Sequence, residues 1–120
     1  MLYLLILVSV AGMTAGQLLV KKGVLQVGGF PHDLGEVGHF FLKAYTNLYV
    51  LSAVFITIIV ALSWILVISK AELSYVYPFM ALSYVFVALF SLLIFKEDVN
   101  ALRWAGIAVI CIGVFLVSRS

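Results

Sequence analysis

Four long apolar runs constrain the fold of this sequence more than any other feature. They cover about residues 2–22, 47–69, 74–95 and 99–118, and each is close to the ~20 residues that cross a bilayer as a helix. Charged residues make up only 10% of the chain and concentrate between the runs, because a charge at mid-bilayer costs at least about 2.5 kcal/mol. The sequence therefore predicts an all-α integral membrane protein, with four transmembrane helices in a single domain over residues 1–120.

The segment between the first two spans is long enough to hold a further helix. Residues 28–31 (GGFP) predict a turn, and residues 32–45 after it follow a helical period with an apolar and a polar side. We expect an amphipathic helix that lies in the membrane interface. Its apolar side carries Leu34, Val37, Phe41 and Tyr45, and its polar side carries His32, Glu36, His39 and Lys43.

Lysine and arginine are distributed unequally between the two ends of the predicted bundle. Cytoplasmic loops of membrane proteins carry the excess of these residues. We therefore expect the first and third loops in the cytoplasm and both termini outside it. One side has Lys21, Lys22, Lys43, Lys96 and Arg103, and the other has Lys70 and Arg119.

The first span carries two different stripes along its length. Small residues let another helix approach closely, whereas polar residues at helical spacing indicate a face that lines a cavity. The small stripe is Ser9, Gly12 and Gly16, and the polar stripe is Thr14, Gln17 and Lys21.

Two readings of the lysine pair at the end of this span stay open. Lys21 and Lys22 are placed to anchor the helix at the membrane surface. Their ammonium groups are also placed to receive a phosphate.

The third span repeats the polar pattern with hydroxyl-bearing side chains. Its stripe recurs at three-and-four spacing and predicts a face turned inward, although aromatic core packing would give the same pattern. Pro78 removes a backbone donor near the start of the span, so we expect a local bend there. The stripe consists of Ser74, Tyr77, Ala81, Tyr84, Ala88 and Ser91.

The ends of the third and fourth spans hold the remaining candidates. Glu72 lies just before Tyr75, where it could pair with Lys70 or face a cavity mouth, and we regard it with Pro78 as a candidate gate or coupling residue. Asp98 or Asn100 is expected to cap the fourth helix. Gly106 and Gly113 then give this helix a flat strip for a partner.

Several kinds of chemistry have no pattern in the sequence. It has no phosphate-cradling loop, no Ser-His-Asp arrangement and no pair of carboxylates within a span, so we expect no enzyme. His32 and His39 are seven residues apart without a third ligand nearby, and we expect no metal site and no cofactor. The net charge of +2 is too small to favour nucleic acid.

Taken together, the motifs resemble the drug/metabolite transporter (EamA-like) superfamily in its four-helix form. The resemblance rests on AGQLLVKKG in the first span, YVYPFMAL at the start of the third, FKED at its end and GIAVICIGVFLV in the fourth. It implies a small bundle like that of the small multidrug resistance family. That family has a first-span carboxylate eight residues before a lysine, and the corresponding residue is Met13. Its third span is similar at Tyr77 but has tryptophan where this chain has Met80.

A second branch of the superfamily resembles the chain more closely. Its members are paired subunits that flip aminoarabinose linked to undecaprenyl phosphate across the bacterial inner membrane. They similarly lack the acid and carry Ala-Gly-Gln-Leu before a lysine, followed by Tyr-Pro in the third span. The chain departs from this branch at Glu72 and Ser74, where proline and glycine are usual. The matching positions are Ala15, Gly16, Gln17, Leu18, Lys21, Tyr77 and Pro78.

The resemblance implies a flippase of a polyprenyl-phosphate-linked, glycosylated lipid. Four helices are too few to surround a polar route, so we expect a homodimer or a heterodimer with a related small four-helix subunit. The expected interface residues are Gly12, Gly16, Gly106 and Gly113, the last two because the corresponding glycines lie on the dimer seam of the multidrug family. The expected substrate-binding residues are Thr14, Gln17, Lys21, Lys22, Ser74, Tyr77 and Tyr84.

Two other functions stay open at this point. An exporter of small amphiphilic cations would need an anionic partner, for which Glu72 is the nearest candidate. A membrane subunit that only stabilises a partner would depend on the glycines and not on the polar stripe.

Overall fold

The computed structural model describes residues 1–28 and 32–120, and this part of the chain is helical without strands. The turn predicted at residues 28–31 falls mainly on residues 29–31, which lie outside the described residues. The elements in order are α1 (Leu2–Val27), α2 (Leu34–Thr46), α3 (Leu48–Lys70), α4 (Leu73–Val76), a 3₁₀ segment (Tyr77–Ala81), α5 (Leu82–Ile94) and α6 (Ala101–Ser118).

Four stretches are long and apolar enough to cross a membrane: Leu2–Val27, Leu48–Lys70, Leu73–Ile94 and Ala101–Ser118. The third of these, called the third span below, consists of α4, the 3₁₀ segment and α5. At 1.5 Å per residue, the 18 residues of α6 extend about 27 Å and the 26 of α1 about 39 Å, which brackets the ~30 Å hydrocarbon core. The predicted all-α protein with four spans is confirmed.

The first helix is longer than the sequence predicted. It continues to Val27 instead of ending near residue 22, because residues 23–27 contain no proline. It ends at Gly28, whose φ of 133° is a conformation that side-chain-bearing residues rarely adopt.

The amphipathic helix predicted between the first and second spans is present as α2. It begins at Leu34, where the Asp33 carboxylate accepts a hydrogen bond from the Glu36 amide at 2.8 Å and the Glu36 carboxylate accepts one from the His32 amide at 3.0 Å. This exchange satisfies amides that a helix start otherwise leaves unpaired. Most of the helix stays uncovered by the chain, including Leu34 and Phe41, as expected of a helix in a membrane interface.

The closest packing in the molecule joins α1 to α3. A Cβ atom added to Gly12 would overlap Cγ2 of Val60, and one added to Gly23 would come within 2.6 Å of Cγ2 of Val50. Ser9 and Gly16 on the same face of α1 are buried. The close approach predicted for the small-residue stripe is therefore made within one chain, by α3. This differs from the predicted dimer interface at Gly12 and Gly16, because α3 already covers that face.

The third span is not a continuous α-helix. Pro78 has no amide hydrogen and its ring crowds the carbonyl four residues earlier, so the chain adopts a 3₁₀ turn over Tyr77–Ala81 before α5 begins. The hydroxyls of Tyr3 and Tyr75 are 2.9 Å apart and tie the start of this span to the start of α1.

The fourth helix is largely uncovered by the rest of the chain. Val114 is its buried residue, and a Cβ atom added at Gly106 or Gly113 would meet no atom within 4 Å. Unlike Gly12 and Gly23 of α1, the glycines of α6 make no close contact with the described part of the chain. The Asn100 side chain caps α6 by accepting a hydrogen bond from the Arg103 amide at 2.8 Å.

Candidate functional site

A groove of about 690 Å³ runs between α1, α3 and the third span. We call it the central groove. Its polar groups come from all three walls, and its remaining lining is apolar or aromatic. The polar side chains are Gln17 from α1, Thr57 from α3, and Tyr77, Ser83 and Tyr84 from the third span.

Three of the predicted substrate-binding residues meet in this groove, together with Pro78. Gln17 comes from the polar stripe of α1, and Tyr77 and Tyr84 come from the hydroxyl stripe of the third span. Tyr77 and Tyr84 are 63% and 67% exposed, and no hydrogen-bond partner for either hydroxyl is present among residues 1–28 and 32–120. Both hydroxyls are thus available to a ligand.

Aromatic rings form much of the wall on one side of the central groove. The Trp64 indole contacts the Tyr77 ring edge to face, with 5.9 Å between centroids and an interplanar angle of 71°. Such a contact adds about 0.5–1.5 kcal/mol beyond simple burial. It therefore holds the Tyr77 ring against α3, while the groove remains open next to it.

Other predicted residues lie away from the central groove. Thr14 is buried, and its hydroxyl donates to the Val10 carbonyl at 2.9 Å. It lines a separate apolar groove of about 440 Å³ between α1 and α5. Ser74 and Glu72 are exposed at the start of the third span, and neither lines the central groove.

The two lysines in the last two turns of α1 also lie outside the central groove and have partners of their own. Lys21 Nζ is 3.9 Å from Glu97 Oε1. Lys22 Nζ lies over the Tyr49 ring, 4.8 Å from its centroid. Lys21 is one helical turn beyond Gln17, so it is near the groove along the same side of α1 without lining it.

The polar and aromatic lining residues that the sequence did not predict are Thr57, Trp64 and Ser83. Thr57 and Ser83 satisfy their hydroxyls locally, at 2.8 Å from the Ala53 carbonyl and 2.7 Å from the Met80 carbonyl. Thr57 and Trp64 are two helical turns apart, so they share one face of an otherwise aliphatic stretch. That spacing was the signal that could have identified them.

The central groove carries no formal charge on its lining side chains. Among the described residues that line it, none is Asp, Glu, Lys, Arg or His. Met13 lines the groove, at the position where the resemblance to the small multidrug resistance family would require a carboxylate. The groove thus offers hydrogen bonds and aromatic faces without a fixed charge.

Comparison with known proteins gives one family and several relatives. The chain matches the EamA-like transporter family over residues 8–119. It is 30% identical over 117 residues to a Pseudomonas fluorescens protein named as a probable 4-amino-4-deoxy-L-arabinose-phosphoundecaprenol flippase subunit ArnE, covering 97% of this chain and 96% of the relative.

Two further relatives carry similar names. A Photorhabdus laumondii protein named as a probable ArnF subunit of the same flippase is 31% identical, covering 94% of this chain and 93% of the relative. An ArnE relative from Pseudomonas savastanoi pv. phaseolicola is 38% identical over 58 residues, which are 48% of this chain and 51% of the relative. No solved structure gives a significant match to this chain.

Proposed function

This chain belongs to the EamA-like transporter family, and from that premise we propose that it translocates a polyprenyl-phosphate-linked, glycosylated lipid across the bacterial inner membrane. The polar headgroup passes along the central groove while the polyprenyl chain stays in the bilayer. The names of the relatives, as subunits of a flippase for an aminosugar linked to phosphoundecaprenol, support this substrate class.

The observation that carries the proposal is the neutral, hydrogen-bonding lining of the central groove. Its volume of about 690 Å³ lies within the ~300–1,000 Å³ typical of small-molecule sites. Gln17, Tyr77 and Tyr84 present an amide and two hydroxyls, which match the hydroxyl groups of a sugar. A glycosylated headgroup therefore gains hydrogen bonds there that the hydrocarbon of the bilayer cannot supply.

Export of small cations is less well supported by the same groove. A cation moved into hydrocarbon needs an anionic partner, since aromatic faces contribute about 0.5–2 kcal/mol each. Met13 occupies the position where such an acid would act, and Glu72 is outside the groove. Under the flippase proposal, cells carrying Glu72→Gln keep their sensitivity to cationic drugs unchanged.

The protein acts in this proposal as one half of a dimer. The central groove is open on one side, and four helices cannot close it on both membrane faces alternately. The relatives are named as ArnE and ArnF subunits, which favours a related small subunit as partner, with a second copy as the alternative. In this proposal the partner contacts α6 at Gly113, and the uncovered position of that glycine supports the assignment. The lysine and arginine distribution supports termini outside the cytoplasm.

Translocation in vesicles tests the proposal. Purified protein, with any small subunit that co-purifies, is reconstituted with a fluorescent polyprenyl-phosphate sugar, and exposure of the label to a membrane-impermeant quencher is followed. We expect Gln17→Leu and Tyr84→Phe each to slow the protein-dependent rate about 5–10-fold, since each removes one hydrogen bond of about 1 kcal/mol.

Tyr45→Phe is the matched control, because Tyr45 lies exposed on α2 and does not line the central groove. A rate that equals that of protein-free vesicles would contradict the proposal. So would equal slowing by Tyr45→Phe and Tyr84→Phe.

A further inference from the structure

A second groove, of about 430 Å³, lies between the third span and α6. We call it the rim groove. It is apolar along most of its length, with Ile107 and Gly106 on the α6 side, and it carries charged side chains at one end, where Glu97 and Arg103 lie. Tyr84 and Val87 line both this groove and the central groove. The two grooves are therefore neighbours that share one wall.

The loop after α5 fixes the charged end of the rim groove. The amides of Phe95 and Glu97 both donate to the Ser91 carbonyl, at 3.0 and 3.3 Å. Lys96 between them has a φ of 55°, a left-handed conformation that costs a lysine about 1–2 kcal/mol. These two hydrogen bonds hold the loop in this turn and so bring the Glu97 carboxylate next to Lys21.

The charges at this end do not cancel, because the cations Lys21, Lys96 and Arg103 outnumber the carboxylates of Glu97 and Asp98 by one. Lys21 lies 3.9 Å from Glu97 and offsets its charge. Arg103 Nη1 donates to the Asp98 carbonyl at 3.1 Å, and in the described ranges, 1–28 and 32–120, the guanidinium forms no ion pair. One of its five donors is thus used to hold it in place. The remaining donors are free to bind an anion at the end of an apolar groove.

We propose that the rim groove binds the phosphate of a long-chain membrane lipid at Arg103, with the start of its hydrocarbon chain along α6. This inference rests on the proposed function and adds to it the site where the lipid is first held. From there the sugar reaches the central groove past Tyr84, the wall common to both. A guanidinium is suited to this role because its planar donors match two phosphate oxygens at once.

The lysines predicted to receive the phosphate are less suited to it. Lys21 is engaged by Glu97, and Lys22 lies over the Tyr49 ring. Neither lines the central groove or the rim groove. Gly106 supplies the room that the lipid chain needs, since an added Cβ atom there would meet no atom within 4 Å.

Lipid binding by the full-length protein tests this site. The probe is undecaprenyl phosphate in phosphatidylcholine nanodiscs, and native mass spectrometry reports both the lipid-bound fraction and the oligomeric state. We expect Arg103→Gln to weaken binding about tenfold or more, because hydrogen bonds to a charged group are lost. Arg103→Lys keeps the charge and recovers part of the affinity. Lys43→Gln is the control: it removes a positive charge from α2 and is expected to change the lipid affinity less than twofold.

A second pair of variants tests the groove without changing a charge. Gly106→Leu fills the rim groove and is expected to weaken binding about tenfold with an unchanged oligomeric state. Ala105→Leu places the same side chain at a neighbouring position that does not line the groove, and leaves binding within twofold. If Gly106→Leu loses lipid binding and the dimer also dissociates, the loss comes from the subunit contact and the groove assignment is overturned.

The outcomes separate this inference from the proposed function. If undecaprenyl phosphate binds and Arg103→Gln binds it equally well, the rim groove is wrong and the proposed function stands. If inorganic phosphate at millimolar concentration displaces the lipid, Arg103 binds free anions and the lipid site is also wrong. If the wild-type protein binds undecaprenyl phosphate no better than undecaprenol, which has no phosphate, both proposals fail.

Discussion

Lys21 and Glu97 form an ion pair, with 3.9 Å between Nζ and Oε1, that joins the penultimate turn of α1 to the loop between the third span and α6. About half of each side chain is exposed, at 50% and 44%. Water and salt therefore screen the attraction, and pairs of this kind contribute about 0–1 kcal/mol. The pair positions charges at the rim groove more than it stabilises the bundle.

Removal of this pair is accordingly expected to leave the fold intact. We expect Glu97→Gln to lower the free energy of unfolding in detergent micelles by less than about 1 kcal/mol, and the difference to shrink as salt is added. Asp98→Asn is the matched control, since it neutralises the next carboxylate in the loop without touching Lys21. A loss of several kcal/mol for Glu97→Gln alone would show that the pair is structural.

Two glycines one turn apart on α1 are expected to respond differently to the same substitution. Gly12→Ala places a methyl group into Cγ2 of Val60, so the Val60 side chain or the two helices must shift, at a cost of about 1–3 kcal/mol. Gly16→Ala meets its nearest atom, Thr57 Oγ1, at 3.9 Å, an ordinary contact. The free energy of unfolding of the Gly16→Ala variant is expected to stay unchanged or to rise by up to about 1 kcal/mol, because alanine has the higher helix propensity.

A compensating substitution checks the cause of this effect. Val60→Ala removes the methyl group that Gly12→Ala would overlap, so the double variant should recover most of the lost unfolding free energy. The measurement is the same denaturation in micelles, with Val60→Ala alone as reference. Additive losses in the double variant would mean that Gly12 acts through a neighbouring subunit and not through α3.

Pro78 is expected to matter for transport more than for stability. A 3₁₀ helix turns about 120° per residue and an α-helix about 100°. Across the five residues of Tyr77–Ala81 the difference reaches about 100°. Pro78→Ala restores an amide donor and permits a continuous helix, which would rotate Tyr77 relative to Tyr84 and misalign the central groove.

The expected result for Pro78→Ala is a transport rate about tenfold below wild type, with equal or higher thermal stability. Both are measured on one preparation, by the vesicle assay and by unfolding in micelles. The control is Ala71→Ser, a small substitution just after the end of α3 at a residue that lines neither groove. Normal transport by Pro78→Ala would show that the 3₁₀ turn is dispensable.

The sequence predicted the spans well because hydrophobic length is a local property. Each apolar run is read without knowledge of its neighbours, and all four appear in the structure. The positions of Gln17, Tyr77 and Tyr84 on inward-facing helix sides were also predictable, since helical periodicity identifies the polar side of a single helix.

Helical periodicity could not predict which other helix packs against each side of a given helix. Thr14 and Gln17 are three residues apart and about 60° apart around α1, which is enough to place them in different grooves. Gly12 was correctly assigned to close packing, but the partner is α3 of the same chain. The role of Arg103 depends on the turn at Lys96, which no local pattern indicates because glycine or asparagine usually adopts that conformation.

The tight contact between Gly12 and Val60 also bears on how the protein is made. Every residue of the α1–α3 seam is synthesised before α6 begins at Ala101. The seam can therefore close before α6 enters the membrane, as a membrane-inserted pair of helices that the last helix joins later. Folding of the chain can then begin at its most tightly packed contact, with α6 as the last helix to join.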